Sequence, residues 1–272
     1  MSQTDDQESE RLGLSSGALI PFSPADVRLT LASASPRRRE LLAWLGAEFQ
    51  VIATAGEEHD HPPAASIVAA LPLCPVPLAS HPTLLAWRKI IAACADAPDG
   101  VIIGADTIVV LDGDVLGKPR DSNHAHGMLR RLSGRRHTVY TGLAVIRLET
   151  EDTRWAIRGA ISSLQSPVSN LQLDLVASDV FVADLTDAEI AEYVATGEPM
   201  DKAGAYGIQG LGGRLVRSVV GSYTCVVGLP LVSTHRLLVA AGYTQLIDPV
   251  DAYLRWLKAQ GKEPLPCPPT FP

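Results

Sequence analysis

A cluster of arginines follows a serine and a proline near the start of the chain. Ser35 can cap a helix, and Pro36 suits the first turn of that helix. Three basic residues would then fall in the same turn: Arg37, Arg38 and Arg39. Cations there oppose the helix dipole, which favours anions at this end by about 0.3–1 kcal/mol. An anion bound by Ser33, Ser35 and the arginines would resolve the conflict, and the alternative is a solvated basic turn.

A single carboxylate interrupts an apolar, strand-like run in the middle of the chain. This residue, Asp106, needs a partner, because burying an unpaired carboxylate is costly. Asp112 and Gly113 predict a two-residue hairpin turn, and counting back from that turn pairs Thr107 with Lys118. Lys118 would then lie diagonally beside Asp106. A carboxylate and an ammonium group on one hairpin could bind a metal and a phosphate together, and the alternative is a structural ion pair.

A glycine-rich segment at residues 197–213 follows a predicted helix. Glycine lets a backbone approach a ligand closely, and Lys202 and Gln209 add a charge and an amide. The segment does not match a dinucleotide-binding fingerprint, because no strand and helix flank it in the required way. Two other polar features carry less weight. The His-Asp-His sequence at residues 59–61 lies in a proline-rich loop, and Ser222 lacks the G-x-S-x-G context of a serine hydrolase.

Strands and helices must position these segments. Apolar and β-branched runs predict strands at residues 27–32, 101–103, 108–111, 138–148, 176–183, 215–220 and 225–227. Helices are predicted at residues 36–45, 84–95, 124–132, 187–196 and 230–241. The proline-rich segment 59–82 predicts a long loop with one short helix near residues 65–70. This alternation indicates an α/β domain with a mixed sheet.

Composition limits the classes of function. The chain has 272 residues and a formal net charge of -7, so it lacks the broad basic field needed to bind long nucleic acids. Its four cysteines form no C-x-x-C pair, which favours reduced thiols in a cytosol over a zinc site or disulfides. Neither a signal-peptide pattern nor an apolar run of membrane-spanning length is found. We expect a flexible tail at residues 1–26, a domain at 27–243 and a C-terminal extension at 244–272.

Together these segments closely resemble the Maf family. The similarity lies in motifs that occur in the family order: Ser33-Ala-Ser-Pro-Arg-Arg38, Gly104-Ala-Asp-Thr107, Gly117-Lys-Pro119, Ser133-Gly134 with His137 and Thr141-Gly142, Glu198-Pro-Met-Asp-Lys-Ala-Gly-Ala-Tyr-Gly-Ile-Gln-Gly210, and Gly221-Ser-Tyr223 with Val227-Gly-Leu-Pro230. They cover most of residues 27–243. Several motifs in one order are far more specific than any single motif, so the resemblance favours the functional interpretation of each segment.

The resemblance implies a nucleoside triphosphate pyrophosphatase, a hydrolase that splits a nucleotide into the monophosphate and pyrophosphate. It implies an α/β fold with an elongated mixed β-sheet, flanking helices and two lobes around a central cleft, usually in a homodimer. Asp106 matches the family's proposed proton acceptor. Arg37, Thr107 and Gln209 match its three specificity positions. This combination is similar to that of the branch acting on dTTP and UTP, and modified pyrimidine nucleotides are further expected substrates.

The remaining site residues follow from the resemblance and from the chemistry of phosphoryl transfer. A magnesium or manganese ion is expected at Glu58, with Asp106 close enough to share it. Glu57 is a near rival, because the family's Val-Asp-Glu context is here Ala-Gly-Glu-Glu. Residues 59–82 and 158–170 resemble insertions. The expected phosphate-binding residues are Ser33, Ser35, Arg38, Lys89, Lys118 and Lys202.

Two other functions stay open at this point. One is a nucleotide-binding regulator of cell division, since the family name is tied to septum formation. The nucleotide would then survive incubation with magnesium. The other is a broad house-cleaning pyrophosphatase for non-standard nucleotides, which a substrate panel would separate from an enzyme for dTTP and UTP. In each case we expect a cytoplasmic protein that contacts no nucleic acid polymer and no membrane.

Overall fold

The computed structural model describes residues 27–54, 63–148 and 170–259. Within these ranges the strands are β1 (Leu29–Ala32), β2 (Gln50–Ile52), β3 (Gly100–Leu111), β4 (Asp114–Leu116), β5 (Arg136–Leu148), β6 (Leu171–Val182) and β7 (Val216–Val220). The α-helices are α1 (Pro36–Trp44), α2 (Ala65–Ala70), α3 (Pro82–Ala93), α4 (Ser122–Leu132), α5 (Asp187–Ala195), α6 (Tyr223–Val227), α7 (Leu231–Ala240) and α8 (Pro249–Ala259). Short 3-10 helices cover Leu78–Ser80, Glu198–Asp201, Ala203–Ala205 and Leu211–Leu215. The predicted tail at residues 1–26 and nearly all of the predicted insertion at 158–170 lie outside the described residues.

The sheet is mixed, as the sequence predicts. Its strand order is β2-β1-β3-β5-β6-β7, with β4 paired to β3. β1 runs parallel to β2 and β3, whereas the β3-β5, β5-β6 and β6-β7 pairs are antiparallel. Helices flank this sheet, so the predicted α/β class is confirmed. None of the helices in the described ranges is long and apolar enough to cross a membrane.

The long strands carry hydrophobic cores at both of their ends. At the start of β3, Val101 belongs to a core beneath α1 and α7, and Ile102 belongs to a second core beneath α3 on the opposite face. At the end of β3, Leu111 belongs to a third core with α4 and α5. Adjacent strand residues face opposite sides of a sheet, which explains the first two cores. The molecule therefore has two lobes that share β3 and β5.

A gap beside β3 lies between these lobes. β1 pairs with β3 as far as Ala32 opposite Gly104, and β4 pairs with β3 only from Val109 onward. Between these ladders, residues 105–108 have no neighbouring strand on that side among the described residues. β1 ends in the gap and leads into α1, so this helix begins beside the unpaired edge of β3. Ligand sites of open α/β sheets are found at such carboxyl ends of strands.

Two elements contradict the sequence prediction. β3 is one strand rather than two, because β5 pairs with it continuously across Gly104 and Asp106. Residues 225–227 are helical rather than extended, since they belong to α6. That helix begins where the Ser222 side chain accepts a hydrogen bond from Cys225 N, which satisfies a free donor of the first turn. In both places tertiary and capping contacts override the local preference of the residues.

Helix α8 is not predicted from the sequence. Its Ala252 is buried in the core beneath α1, and the rings of Trp256 and Trp44 have centroids 4.8 Å apart. α8 therefore completes the packing of the helix that carries the arginine cluster. The short helix predicted near residues 65–70 is confirmed as α2, whose Ile67 packs beneath α3.

Candidate active site

A cleft of about 1010 Å³ opens at the gap beside β3. Every predicted site residue that the structure describes lines it: Ser33, Ser35, Arg37, Arg38, Lys89, Asp106, Thr107, Lys118, Lys202 and Gln209. The remaining one, Glu58, and its rival Glu57 lie outside the described residues. Motifs that are far apart along the chain therefore meet at one place, and the roles assigned to their residues stay predictions.

Arg38 is held on three sides before any ligand binds. Its Nε donates to Gly228 O at 2.9 Å, and its Nη2 donates to Thr107 Oγ1 at 3.1 Å. A longer contact of 3.4 Å joins its Nη1 to Ser33 Oγ. Burial lowers the pKa of Arg38, and Asp106 opposes that shift, but an arginine stays charged at neutral pH. The guanidinium group is therefore a fixed positive charge in the cleft.

The neighbours of Arg38 have different surroundings. Arg37 Nη1 lies 3.5 Å from Asp201 Oδ2 of the glycine-rich segment, whereas Arg39 is exposed. Ser35 stands at the N-cap of α1 as predicted, but its side chain makes no capping hydrogen bond. Its backbone N instead donates to Ser33 Oγ at 3.2 Å. The Ser35 hydroxyl makes no hydrogen bond to another described residue and remains available to a ligand.

Lys89 of α3 holds the carboxylate of Asp106. Lys89 Nζ donates to Asp106 Oδ1 at 2.5 Å and to Ala105 O at 3.3 Å. Asp106 Oδ2 makes no hydrogen bond or ion pair within the described ranges. One carboxylate oxygen is thus fixed by a cation, while the other can accept from a water or bind a metal.

The hairpin keeps its predicted register but does not form its predicted ion pair. Both residues of the Asp-Gly turn have positive φ angles, 54° and 87°, as a type I′ turn requires. The β3-β4 ladder ends with Val109 opposite Leu116, so the next predicted pair, Thr107 opposite Lys118, does not form. Lys118 leaves the sheet and is exposed on the cleft wall. The predicted contact of Lys118 with the carboxylate is therefore wrong, and its charge is available to a ligand.

A divalent cation fits this cleft through few protein oxygens. Among the described residues, no group of three or more His, Cys, Asp or Glu side chains converges. Magnesium commonly binds through one or two carboxylates together with waters and substrate phosphates. Asp106 Oδ2 is a carboxylate oxygen that can serve as such a metal ligand. Glu198 and Asp201 also line the cleft, but their carboxylates already accept hydrogen bonds from protein groups.

Glu198 organises the glycine-rich segment. Its carboxylate accepts hydrogen bonds from Tyr193 Oη at 2.9 Å, Leu211 N at 2.9 Å and Gly212 N at 3.1 Å. Burial alone would raise the pKa of Glu198, but these hydrogen bonds outweigh burial and lower it. A Cβ at Gly210 would come within 2.5 Å of Glu198 Oε2, so glycine lets the chain wrap around the carboxylate. This glycine therefore serves the packing of its own segment, whereas the sequence predicts that the glycines allow the close approach of a ligand.

The same segment presents Lys202 and Gln209 in different ways. Lys202 Nζ donates to Glu198 O at 2.7 Å and to Asp201 Oδ1 at 2.6 Å. Gln209 is exposed, and its amide makes no hydrogen bond to another residue of the described ranges. Gln209 is therefore free to contact a ligand, whereas Lys202 already uses two of the three N–H groups of its ammonium group.

Two buried polar residues behind the cleft have no role in the sequence analysis. Thr107 Oγ1 lies 2.9 Å from Thr141 Oγ1, which donates to Cys225 O at 2.8 Å. His137 Nε2 lies 2.8 Å from Tyr206 Oη, and burial lowers the pKa of His137 to about 4. The imidazole is therefore neutral at pH 7. In the sequence, both residues belong to the motifs that carry the family resemblance, and Thr141 is also polar within the predicted strand at 138–148, but neither signal assigns a role to them.

The cleft combines the groups that phosphoryl transfer requires. Fixed and exposed cations surround one carboxylate that has a free oxygen. Cations placed where charge develops stabilise the transition state, and a carboxylate can orient a water and accept its proton. The fold and the cleft thus define an α/β protein suited to bind and hydrolyse a polyphosphate.

Comparison with known proteins identifies the family. The model of the Maf-like protein family matches residues 28–241, and the chain belongs to this family. A dTTP/UTP pyrophosphatase of Yersinia pestis bv. Antiqua (strain Antiqua) is 46% identical over 211 residues, which are 77% of this chain and 91% of the relative. The dTTP/UTP pyrophosphatase of Escherichia coli O157:H7 has the same identity and coverage. That of Shigella boydii serotype 4 (strain Sb227) is 47% identical over 212 residues, again 77% of this chain and 91% of the relative.

Proposed function

We propose that this protein is a nucleoside triphosphate pyrophosphatase that hydrolyses dTTP and UTP to the monophosphate and pyrophosphate. Modified pyrimidine triphosphates are included in the proposed substrates. The observation that carries the proposal is the carboxylate of Asp106, held by Lys89 in a cleft that Arg38, Lys118 and Lys202 also line. Relatives that are 46% identical over 77% of the chain bear the name dTTP/UTP pyrophosphatase, which supports the choice of substrate.

Asp106 is the proton acceptor of the proposed reaction. Because Lys89 holds Oδ1, the free oxygen Oδ2 is the atom that orients the attacking water and takes its proton. The water attacks the α-phosphorus in line with the departing pyrophosphate. A base that is already fixed in place lowers the entropic cost of this arrangement.

Cations stabilise the triphosphate and the departing pyrophosphate. Arg38 is bound to Gly228 O and Thr107 Oγ1, so its charge needs no reorganisation when the substrate enters. Lys118 is exposed on the cleft wall and adds a mobile charge. Lys89 and Lys202 add further positive charge, and the hydroxyl groups of Ser33 and Ser35 donate hydrogen bonds to phosphate oxygens.

A divalent cation completes the proposed site. When bound there, magnesium or manganese would supply positive charge that offsets part of the negative charge of the phosphates. Glu58 is proposed to hold the ion, and Asp106 would share it through the lone pair of Oδ2 that the attacking water does not use. This small number of protein ligands suits magnesium, which keeps several waters.

Arg37, Thr107 and Gln209 contact the base and the sugar in this proposal. All three line the same cleft as the phosphate-binding residues. The free amide of Gln209 can donate and accept at once, which matches a base edge that carries both N–H and carbonyl groups.

The proposal extends to a homodimer in the cytoplasm, as the family resemblance implies. Light scattering on the purified protein measures its mass in solution. A mass of two chains supports the homodimer, and a mass of one chain at micromolar concentration contradicts it.

The test of the proposed function is pyrophosphate release with magnesium or manganese, measured over dTTP, UTP, CTP, dCTP, the purine triphosphates and 7-methyl-GTP. Release that favours dTTP and UTP, and that stops with EDTA, supports the proposal. A preference for modified nucleotides of any base supports the broad house-cleaning function instead. Nucleotide that binds but survives incubation supports the nucleotide-binding regulator.

A further inference from the structure

A chain of hydroxyl groups links the cleft to the buried interior. Thr141 is fully buried, with 0% of its surface exposed, and its Oγ1 donates to Cys225 O at 2.8 Å. A threonine hydroxyl has one proton, and a carbonyl oxygen can only accept. The single proton of Thr141 is therefore committed to Cys225 O. Towards Thr107, whose Oγ1 lies 2.9 Å away, Thr141 can act only as an acceptor.

The direction of the hydrogen bond from Thr141 to Cys225 O determines where the hydroxyl proton of Thr107 points. Thr107 must donate its single proton to Thr141, because Thr141 has none to give. On its other side Thr107 accepts from Arg38 Nη2 at 3.1 Å, and a guanidinium group cannot accept. A hydroxyl oxygen has two lone pairs, so Thr107 keeps one lone pair and no proton. Towards the cleft, Thr107 is therefore an acceptor only.

The surrounding backbone holds this chain of hydrogen bonds at both ends. Thr107 and Thr141 lie opposite each other in the β3-β5 ladder, so the sheet sets the distance between their hydroxyl groups. Cys225 belongs to α6, and Gly228 directly follows that helix and accepts from Arg38 Nε. Cys225 O of this short helix thus accepts from the Thr141 hydroxyl group, and Gly228 O at its end accepts from the Arg38 guanidinium group.

We infer that Thr141 is a positioning residue that restricts Thr107 to accepting a hydrogen bond from the nucleotide, so that the cleft selects bases with an imide N–H. Uracil and thymine carry such a group at N3, between two carbonyls. Cytosine has an unprotonated N3, whose lone pair would face the lone pair of Thr107. A site whose buried polar group is left unpaired rejects the wrong ligand strongly. This inference rests on the proposed function and specifies the property of the base that is recognised.

The test compares Thr141→Val with Thr141→Ser in pyrophosphate release from UTP and CTP. Valine keeps the side-chain volume and removes the hydroxyl group, so the proton of Thr107 is free to turn towards the cleft. We expect the UTP-to-CTP ratio of kcat/KM to fall about tenfold, the effect of one neutral hydrogen bond, with the change mainly in KM. Thr141→Ser keeps the hydroxyl group and is expected to keep the ratio. A purely structural defect lowers both rates by the same factor, so an unchanged ratio in a folded Thr141→Val protein overturns the inference.

The unmodified protein provides a test that does not depend on the folding of a variant. 3-methyl-UTP and 5-methyl-UTP each add one methyl group to the base, but only 3-methyl-UTP loses the imide N–H. We expect kcat/KM for 3-methyl-UTP to be at least about tenfold lower than for 5-methyl-UTP. Equal values overturn the inference and leave the proposed function intact. Release from no nucleotide at all by the folded protein contradicts the proposed function itself, and the inference falls with it.

Discussion

The two walls of the cleft hold their charges in different ways. On the wall formed by β1, α1 and β3, Arg38 is bound by Gly228 O and by Thr107 of a continuous strand. On the wall formed by the glycine-rich segment, Lys202 is paired with Asp201, the last residue of a short 3-10 helix that Lys202 directly follows. Arg38 is therefore held by groups of the sheet and of the residue after α6, whereas Lys202 is held by groups of its own segment.

This difference shows what each wall needs in order to keep its shape. Regular elements position the first wall, since their backbone hydrogen bonds are satisfied within the sheet and the helix. In the described residues the second wall has only short 3-10 helices, and Glu198 is a central anchor of it, because its carboxylate accepts from both Leu211 N and Gly212 N. We therefore expect changes in the first wall to affect turnover, and changes in the second to affect stability first.

The largest effect is expected from Asp106→Asn, which removes the carboxylate that both walls surround. Asparagine keeps the shape but cannot accept the proton of the water, so turnover should fall about 10²- to 10⁴-fold. Nucleotide affinity, measured by calorimetry with magnesium present, is expected to stay close to that of the unmodified protein. Turnover within twofold of the unmodified protein in a folded variant would remove Asp106 from this role.

Arg38→Lys and Lys202→Arg together compare the two walls directly. Each substitution keeps the charge, but lysine cannot reproduce the forked contacts of Arg38 with Gly228 O and Thr107 Oγ1. We expect kcat for UTP to fall about 10²-fold in Arg38→Lys, as for the loss of one preorganised donor. Lys202→Arg should have a clearly smaller effect on kcat. Equal losses in the two variants would contradict the difference between the walls.

Glu198→Gln is expected to weaken the second wall. Loss of the charged acceptor should lower the free energy of unfolding by about 1–3 kcal/mol, which thermal denaturation measures. Because the pKa of Glu198 is lowered in the folded protein, its carboxylate stabilises the fold above the unfolded pKa. That contribution is lost as the pH falls through the lowered pKa. The matched control is Glu192→Gln, an exposed glutamate of α5.

The role of the Glu198 charge is tested by the pH dependence of the difference in Tm between the two proteins. The gap in Tm between the unmodified protein and Glu198→Gln should be largest near pH 7 and should close towards pH 3. A gap that does not change with pH would mean that the carboxylate charge is not what anchors the segment.

The smallest effect is expected from Asp201→Asn. Its ion pair with Arg37 joins the two walls, but the N–O distance is 3.5 Å and the side chains are 34% and 66% exposed. Exposed pairs of this kind contribute less than about 1 kcal/mol, so urea denaturation should show a smaller loss than for Glu198→Gln. A larger loss would show that the ion pairs of Asp201, with Arg37 across the cleft and with Lys202 beside it, stabilise the second wall more than Glu198 does.

The first wall could largely be predicted from the sequence, because local signals govern its elements. Proline and the following apolar pattern place the arginines in the first turn of α1, and the Asp-Gly turn sets the hairpin register. The partner of Asp106 could not be predicted in this way. Lys89 reaches it because α3 packs closely on β3, where a Cβ at Gly104 would collide with Ala86 O. That contact is between distant parts of the chain and leaves no periodic signal.

Other features depend equally on long-range contacts. The hydroxyl groups of Thr107 and Thr141 are aligned by the β3-β5 ladder, and only the position of α6 shows which of them donates. Residues 225–227 have β-branched, apolar character, yet the Ser222 cap makes them helical. In the glycine-rich segment, the need for glycine at Gly210 becomes clear only once Glu198 is seen beside it.

The most direct test of the central claim is hydrolysis of UTP in ¹⁸O-labelled water, with the products separated and analysed by mass spectrometry. Water that attacks the α-phosphorus places one ¹⁸O atom in UMP and leaves pyrophosphate unlabelled, and this is the expected result. Labelled inorganic phosphate, or label in pyrophosphate with unlabelled UMP, would contradict the proposed reaction.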